Sequence, residues 1–561
     1  MHSYPAVPRS VSVSADEAGL PAGVTVGVRL CDLVSPLKNG APLAAGGRSA
    51  LVVAGTRVVR AGEPVVFLKV VAVAPAVLAR KGEVRAAGSP CAHATLGPLE
   101  AWLDAKAGPG LIDRIAGNAV LDGRLVKGER ERLLSAAFMI RVIVLLTLMP
   151  GAQPSDVITA LAGDLPLVPW SRQWRPASER ACLDWRKALG PAPLEELQAA
   201  VLKAADGEHA GRDGLSLAAG RDRPLAVHSM DGSLARVPDT PANRAAFGSV
   251  GTADGSSAWP SVRLFPLNNC LTRSLLAMPW GPAGTDKAAA EQGLLDTVVT
   301  RFPHVLTKDR IWLLDRLWHG VRRIKALAAL THVLVRVKSD IPLKKVSEIL
   351  PDGSYRAEIS GDGVTMTVRV IEYFVDIEGQ AVPEMFCLIT DLLDEEEYPA
   401  LELAGLYKWR WDGSETGLRE AKAPLHGAGP GTGAMLRSGS PELIAQEIAA
   451  WAAATEMTRG VTRDAALAAQ PARKGRRAGQ PVRCRDLSLT RSRRLILAAI
   501  RAGRASYKAL TSQIAKYRTA ADRDRHRSRK SKSPGTFPHA GPKDTITRTA
   551  PAVITLANTP A

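Results

Sequence analysis

The sequence predicts an α/β fold: a sheet core, a helical N-terminal region and a basic C-terminal tail. Three observations carry that prediction. Between about residues 224 and 395, short apolar runs bounded by turn residues alternate with segments of helical spacing. Across 88–205, apolar side chains recur every three to four positions, as on helices. The charge is lopsided: of a net +18, residues 471–533 hold +17, from 20 Lys and Arg against Asp486, Asp522 and Asp524, leaving the other 498 residues near +1.

At 561 residues and 46% hydrophobic content, the chain has room for roughly two to four domains with real cores. Residues 1–87 are rich in Ala, Val, Gly and Pro, with β-like runs such as SALVVAGTRVV, and show no chemistry. In the helical region 88–205, GPLEAWLDAKAG, ERERLLSAAFMIRVIVLLTLM and LEELQAAVLKAA have the expected spacing. Gln153-Pro154-Ser155-Asp156 reads as a helix start with Ser155 or Asp156 as cap, and Pro176-Ala177-Ser178-Glu179 as another. Short capped helices suit helix-turn-helix DNA reading and an ordinary bundle equally. Residues 206–223 are polar and Gly-rich, a linker or excursion.

The sheet core follows. PLAVHSM is a first strand ending at Asp231; AWPSVRLFPLNNC and TRSLLAMPW suggest an antiparallel pair. KAAAEQGLLDTVVTRF is a helix, DRIWLLD a buried strand, GVRRIKALAALT a helix and HVLVRVK a strand. From about 339 to 395 the alternation breaks into PDGSYRAEIS, GVTMTVRVIEYFVD and PEMFCLITDLL, an inserted antiparallel sheet with Asp-Gly and Glu-Gly turns. A helical stretch carries Tyr407 through Lys422 and continues into SPELIAQEIAAWAAATEM, closing a core of about 224–460.

A basic segment at 471–561 on a near-neutral body points to a polyanion partner, nucleic acid first, with a solvated and partly disordered tail as the plain alternative. Removing 471–533 is then expected to weaken binding in a salt-dependent way. The six cysteines are scattered without a CxxC pair, which argues for reduced thiols in the cytosol and against structural zinc. The N-terminus lacks the order of a signal peptide. The longest apolar stretches, Val65–Ala79 and Ala136–Met149, fall short of the roughly 20 residues a membrane span needs. No GxxxxGK loop is present, so no nucleotide cofactor is expected.

Three carboxylates stand out: Asp231 and Asp315, each ending a strand, and Glu415 in a charged helical segment. Brought together at strand ends, such groups suit two divalent metals for phosphodiester chemistry; Mg²⁺ keeps several waters, so few ligands suffice. Taken singly each has a plain structural explanation, a turn, an ion pair or a solvated helix face. His228 and His319 lie near them in sequence, and both read as structural.

The order and context of these residues resemble a known family. DGSLARVPDTPANRAAFG is similar to the first-Asp region of bacterial insertion-sequence transposases of the IS-four type, which have DDE sites. LLDRLWHG looks like the second-Asp region, and RVKSDIPL…LPDGSYRAEI like the β-insertion. YPALELAGLYKWRWDGSETGLREAK resembles the signature in which Tyr, Arg, Glu and Lys are spaced by two, three and six residues. The likeness covers about residues 125–460.

The resemblance implies an RNase H-like core and a cut-and-paste transposase that binds terminal inverted repeats, cleaves with Mg²⁺ (Mn²⁺ substituting) and joins the freed 3′ ends to target DNA. It implies a homodimer bracketing two element ends, at the bacterial nucleoid. By position, Asp231, Asp315 and Glu415 become catalytic metal ligands, and Tyr407, Arg410 and Lys422 phosphate contacts. Arg316 beside Asp315, and Trp409 in the aromatic and basic run Tyr407–Trp411, are further candidates for DNA contact. A nuclease of the same fold without strand transfer, or a catalytically inactive DNA-binding descendant, is the alternative.

One departure bears on activity. Four residues, Trp411 to Ser414, separate Arg410 from Glu415 where the pattern has three, so Ser414 holds the strict Glu position. On an uninterrupted α-helix the extra residue turns Arg410 by about 100° relative to Glu415. Gly413 is placed to relieve this, and Asp412 is a weaker substitute ligand.

Overall fold

The computed structural model describes residues 95–119, 135–149, 151–162, 177–209, 216–217, 224–248, 259–284, 286–315, 320–337, 342–377, 383–425, 435–471, 473, 478–503, 506–519 and 552–558. The Ala/Val/Gly-rich residues 1–87, Arg316, His319 and the basic run 520–533 lie outside them. Among the described residues no helix is long and apolar enough to cross a membrane.

Six helices come first: α1 (Pro98–Ala107), α2 (Leu111–Asn118), α3 (Ala136–Leu148), α4 (Pro154–Ala162), α5 (Glu179–Leu189) and α6 (Ala192–His209). The sequence of α3, AAFMIRVIVLLTL, is apolar all round, and Phe138 through Leu148 are buried accordingly. Ser135 caps it by accepting from Phe138 N–H. Its one charge, Arg141, is tied to Glu100 at 2.6 Å and Asp113 at 3.0 Å; without those partners the buried charge would cost several kcal/mol, on the order of 3–5. Ser178 caps α5 as expected. At α4 the expected cap is replaced: the helix begins at Pro154, and Asp156, inside the first turn, accepts from Gln153 N–H.

A large mixed sheet follows. Its strands are β1 (Ser216–Leu217), β2 (Leu225–Met230), β5 (Leu267–Asn269), β6 (Leu275–Ala277), β8 (Arg310–Leu314), β9 (His332–Arg336), β10 (Lys344–Lys345), β11 (Tyr355–Gly361), β12 (Val364–Ile377), β13 (Glu384–Thr390) and β14 (Ala552–Leu556). The spatial order is β10-β11-β12-β13-β9-β8-β2-β5-β6, with β1 on β2 and β14 on β12. β2, β5 and β6 are antiparallel, whereas β8 and β9 run parallel to β2. The RIWLL run of β8 is buried on both faces because it is central. Ile311 and Leu313 meet one layer; Trp312 and Leu314 meet the other. Helices α8 (Lys287–Arg301) and α9 (Val321–Leu330) cover the Trp312 face, and α10 (Ala400–Tyr407) covers the Ile311 face.

Two expectations change. The antiparallel strands between 339 and 395 are present but form no separate sheet: β13 pairs with β9 through Leu388↔Arg336, so they extend the main one. Asp362 and Gly363, both at positive φ, make the tight turn joining β11 to β12. The hairpin expected from 259–280 is divided. Its inner halves β5 and β6 join the main sheet; its outer halves β4 (Ser261–Leu264) and β7 (Trp280–Pro282) pair with each other, and β4 with β3 (Ser233–Arg236), beside α7 (Pro241–Phe247).

After α10 come the short α11 (Trp409–Trp411), a π-helical turn (Asp412–Thr416) and α12 (Gly417–Lys422). The 27-residue α13 (Pro441–Leu467), about 40 Å long, then runs through the molecule. Ile444, Ile448 and Trp451 pack toward the small sheet, while Ala453, Met457 and Val461 pack among α1–α6. Gly460 is required because a Cβ there would run into the Trp102 indole. Over 478–503 and 506–519 the segment read as a basic tail is folded: α14 (Leu489–Ala502) and α15 (Tyr507–Ile514) bury Ile496, Ile500, Leu510 and Ile514 in the N-terminal helical core.

Candidate active site

The parallel pairing of β2 and β8 runs from Ala226↔Arg310 to Ser229↔Leu313. Continued two residues, it sets Asp231 level with Asp315. Side chains alternate along a strand, so both carboxylates follow Val227 and Ile311 onto the face covered by α10. The helix bearing Arg410, Glu415 and Lys422 crosses that face.

Asp231 accepts from Gly232 N–H at 2.8 Å and from Arg410 Nη1 at 3.2 Å. Burial pushes its carboxyl up to about 6; Arg410 opposes that shift, while the charges of Asp315 and Glu415 add to it. A Cβ at Gly232 would run into the Glu291 carboxyl, itself paired with Arg263 at 2.9 Å. Burial works against the Arg410 charge, but Tyr407, Asp231, Asp315 and Glu415 together outweigh it and hold the guanidinium above its ordinary value. Tyr407 is buried and donates its hydroxyl proton to Leu314 O at 2.9 Å, bracing the end of β8 next to Asp315. Burial raises that hydroxyl to about 12. Lys422 Nζ donates to Ser233 Oγ and Leu234 O, both at 2.7 Å. Burial pulls the amine down to about 8, against the attraction of Glu415.

The extra residue before Glu415 is absorbed by the π turn Asp412–Thr416. A π turn closes i→i+5 bonds, so Arg410 and Glu415 take the relation that residues four apart have on an α-helix. Ser414, at the strict Glu position, is wholly buried and donates to Arg410 O, whereas Glu415 is exposed. Gly413 lets the turn lie against the sheet: a Cβ there would sit 2.5 Å from Ser229 Oγ and 2.9 Å from Cys270 Cα. Asp412 is engaged elsewhere, by Arg273 at 2.7 Å and Arg485 at 3.4 Å.

The candidate residues thus divide. Asp231, Arg410, Asp315, Glu415, Tyr407 and Lys422 converge on one strand-end face. Trp409 is partly buried beneath Arg485, whose guanidinium lies 4.5 Å from its ring. Trp411, the third aromatic of the run, is 53% exposed. Arg316 lies outside the described residues. His228 is core: burial lowers it to about 3 and it packs 5.0 Å from Trp312. Arg273 was missed, since nothing in NNCLTRSLL marks a turn arginine as reaching a helix far away in sequence.

Carboxylate oxygens are the donor type Mg²⁺ prefers. Among the described residues, however, no three His, Cys, Asp or Glu side chains form a group that could hold a metal ion. The counter-charge to Asp231 comes from Arg410.

The chain is 24% identical over 238 residues to the transposase InsG for insertion sequence element IS4 of Escherichia coli (strain K12). The chain is similar to an IS4-type transposase. The match takes in 40% of this chain and 49% of InsG, so the chain spans about half the length of that relative. No protein-family model matches. A solved structure, a piggyBac transposase synaptic complex with hairpin DNA, overlaps 75% of this chain and 85% of its own at 10% identity and a TM-score of 0.35. That likeness is too remote to bear on function.

Proposed function

We propose that the chain is a cut-and-paste DNA transposase with an RNase H-like core. The observation that carries this is the register of β2 and β8, which sets Asp231 and Asp315 side by side beneath the helix of Arg410, Glu415 and Lys422. The strand order β6-β5-β2-β8-β9, three consecutive antiparallel strands followed by two parallel ones, supports the RNase H-like assignment.

On this reading Asp231, Asp315 and Glu415 would hold divalent metal, Mg²⁺ or Mn²⁺, although they form no ready metal-holding group as they stand. When bound, two such ions supply activation of the attacking oxygen and stabilisation of the leaving one. Arg410, now balancing Asp231, is placed to fork onto an entering phosphate. Lys422, mostly protonated at neutral pH, adds a point charge that Glu415 attracts, beside Ser233 and Leu234. Tyr407 spends its only proton on Leu314 O, so its role is to seat Asp315. Outward on α14, Arg491, Arg494 and Arg501 are exposed at i, i+3 and i+10, and no Asp or Glu occurs between 487 and 521. That stripe suits a duplex backbone. Two copies bracketing two element ends complete the reading.

A second reading, a DNA-binding protein without turnover, is favoured by the Arg410–Asp231 pair and by the lack of a ready metal-holding group among the described residues. The two separate on purified full-length chain, element-end duplex and Mg²⁺ or Mn²⁺. The transposase cleaves, and Asp231→Ala or Asp315→Ala lowers cleavage at least about a thousandfold while leaving end binding intact. End binding by the wild-type chain with no cleavage in either metal selects the second reading.

A further inference from the structure

Arg273 stands in the turn between β5 and β6 with φ 60, a left-handed conformation uncommon for a residue with a side chain. The turn is fixed from within: Arg273 N–H donates to Asn269 O, and Asn269 Oδ1 accepts from Leu271 and Thr272 N–H. The guanidinium is buried and reaches two carboxylates of the facing helix. Nη2 donates to Asp412 Oδ1 at 2.7 Å, and Nη1 to Glu420 Oε1 at 2.8 Å. Asp412 opens the π turn, Glu420 lies just beyond it in α12, and Glu415 is between them. Arg485, from the segment before α14, reaches Asp412 as well.

We propose that Arg273 is a positioning residue for the carboxylate site: its two ion pairs hold the π turn and keep Glu415, rather than Ser414, facing Asp231 and Asp315. Arg485 ties the same turn to the segment leading into α14. The inference rests on reading these carboxylates as the site. A π turn is rare and carries one surplus residue, so the helix could otherwise shift register to ordinary α geometry. Such a shift would bring Ser414 to the position now held by Glu415. Ion pairs to both sides of the turn, from one arginine on the sheet, oppose that slide. The anchor sits at the end of β5, the strand next to β2, so it references the turn to the strand that carries Asp231. The planar fork of arginine can hold two carboxylates at once, where a lysine offers a single point charge.

The test uses full-length Arg273→Met, Arg273→Lys and Asp412→Asn, with deletion of Ser414 alone and in the Arg273→Met background. The deletion returns Arg410 and Glu415 to α spacing, so the clamp is no longer needed. Hydrogen exchange of amides 412–417 and Mn²⁺ affinity of the DNA-free chain are measured beside metal-dependent cleavage. Arg273→Met and Asp412→Asn are expected to speed exchange across the turn, and to weaken Mn²⁺ binding, by about tenfold, with β2 and β8 still protected. Arg273→Lys falls between, and deleting Ser414 restores Mn²⁺ affinity to Arg273→Met within about twofold. Exchange and affinity within about twofold of wild type in both Arg273→Met and Asp412→Asn overturn the proposal, as does a deletion that fails to rescue. If Arg273→Met loses protection in the sheet, Asp412→Asn, which keeps the Arg273–Glu420 pair, decides. A wild-type chain that neither binds Mn²⁺ nor cleaves DNA defeats the metal-site reading, while the exchange pattern still decides whether Arg273 holds the turn.

Discussion

At Asp231 the cost of burial is legible as a pH dependence. Its carboxyl rises from 3.8 to about 6, so the folded state holds the proton more tightly than the unfolded chain. The resulting contribution to stability is fully present below about pH 4 and is lost as pH rises through about 6. A carboxyl raised that far contributes at most on the order of 3 kcal/mol. In chelator, urea unfolding of the wild-type chain should show this loss between pH 4 and pH 7, and Asp231→Asn should flatten it by on the order of 1–3 kcal/mol. Identical profiles for the two proteins would mean that Asp231 is better solvated than its surroundings indicate. Lys422 illustrates the opposite case, an amine drawn down to about 8 by burial while donating to Ser233 Oγ and Leu234 O.

The π turn is the element on which the proposed site depends. It takes up the added residue while Arg410, Glu415 and Lys422 stay on one face, and it does so only because Gly413 leaves room for Ser229 and Cys270. One of the obstructing atoms is Cys270 Cα, which no side-chain rotation can move. Gly413→Ala should therefore destabilise the chain by about 1–3 kcal/mol, the usual cost of overpacking. Denaturant midpoints at constant slope measure this. It should also lower divalent-metal affinity, since the turn must lift from β2. An alanine tolerated within about 0.5 kcal/mol would show that the helix can ride away from the sheet at little cost.

For the molecule as a whole, α13 and the segment after it join what the sequence lays out as separate regions. Ile496, Ile500, Leu510 and Ile514 belong to the same core as α3, so deleting 471–533 would remove packing as well as charge. Exposed substitutions isolate the charge. Arg491→Glu, Arg494→Glu and Arg501→Glu together should weaken duplex binding and reduce the slope of log affinity against log salt by about 3, near 0.9 for each phosphate no longer neutralised. The melting temperature should stay within about 2 °C, since the three side chains point outward. An unchanged salt slope in the triple variant would move the polyanion surface elsewhere on the chain.

Much of the core was legible because its signals are local. Strand runs such as DRIWLLD and HVLVRVK, helices such as GVRRIKALAALT, and Asp231 and Asp315 at strand ends all follow from apolar periodicity and punctuation by polar or turn residues. Which strands are neighbours is a long-range matter, and only the tertiary structure decided it: that β2 lies beside β8, that β13 adds to β9 instead of starting a second sheet, and that β14 returns to β12. The same holds for the clamp on Asp412, where Arg273 is 139 residues away along the chain and its role exists only once β5 and the helix have met. Sequence alone singled out Asp231, Asp315 and Glu415 as the candidate carboxylates and put the two aspartates at strand ends. Packing decided how an added residue before Glu415 is accommodated, because hydrogen bonding within a helix permits either register and only contacts with the sheet distinguish them.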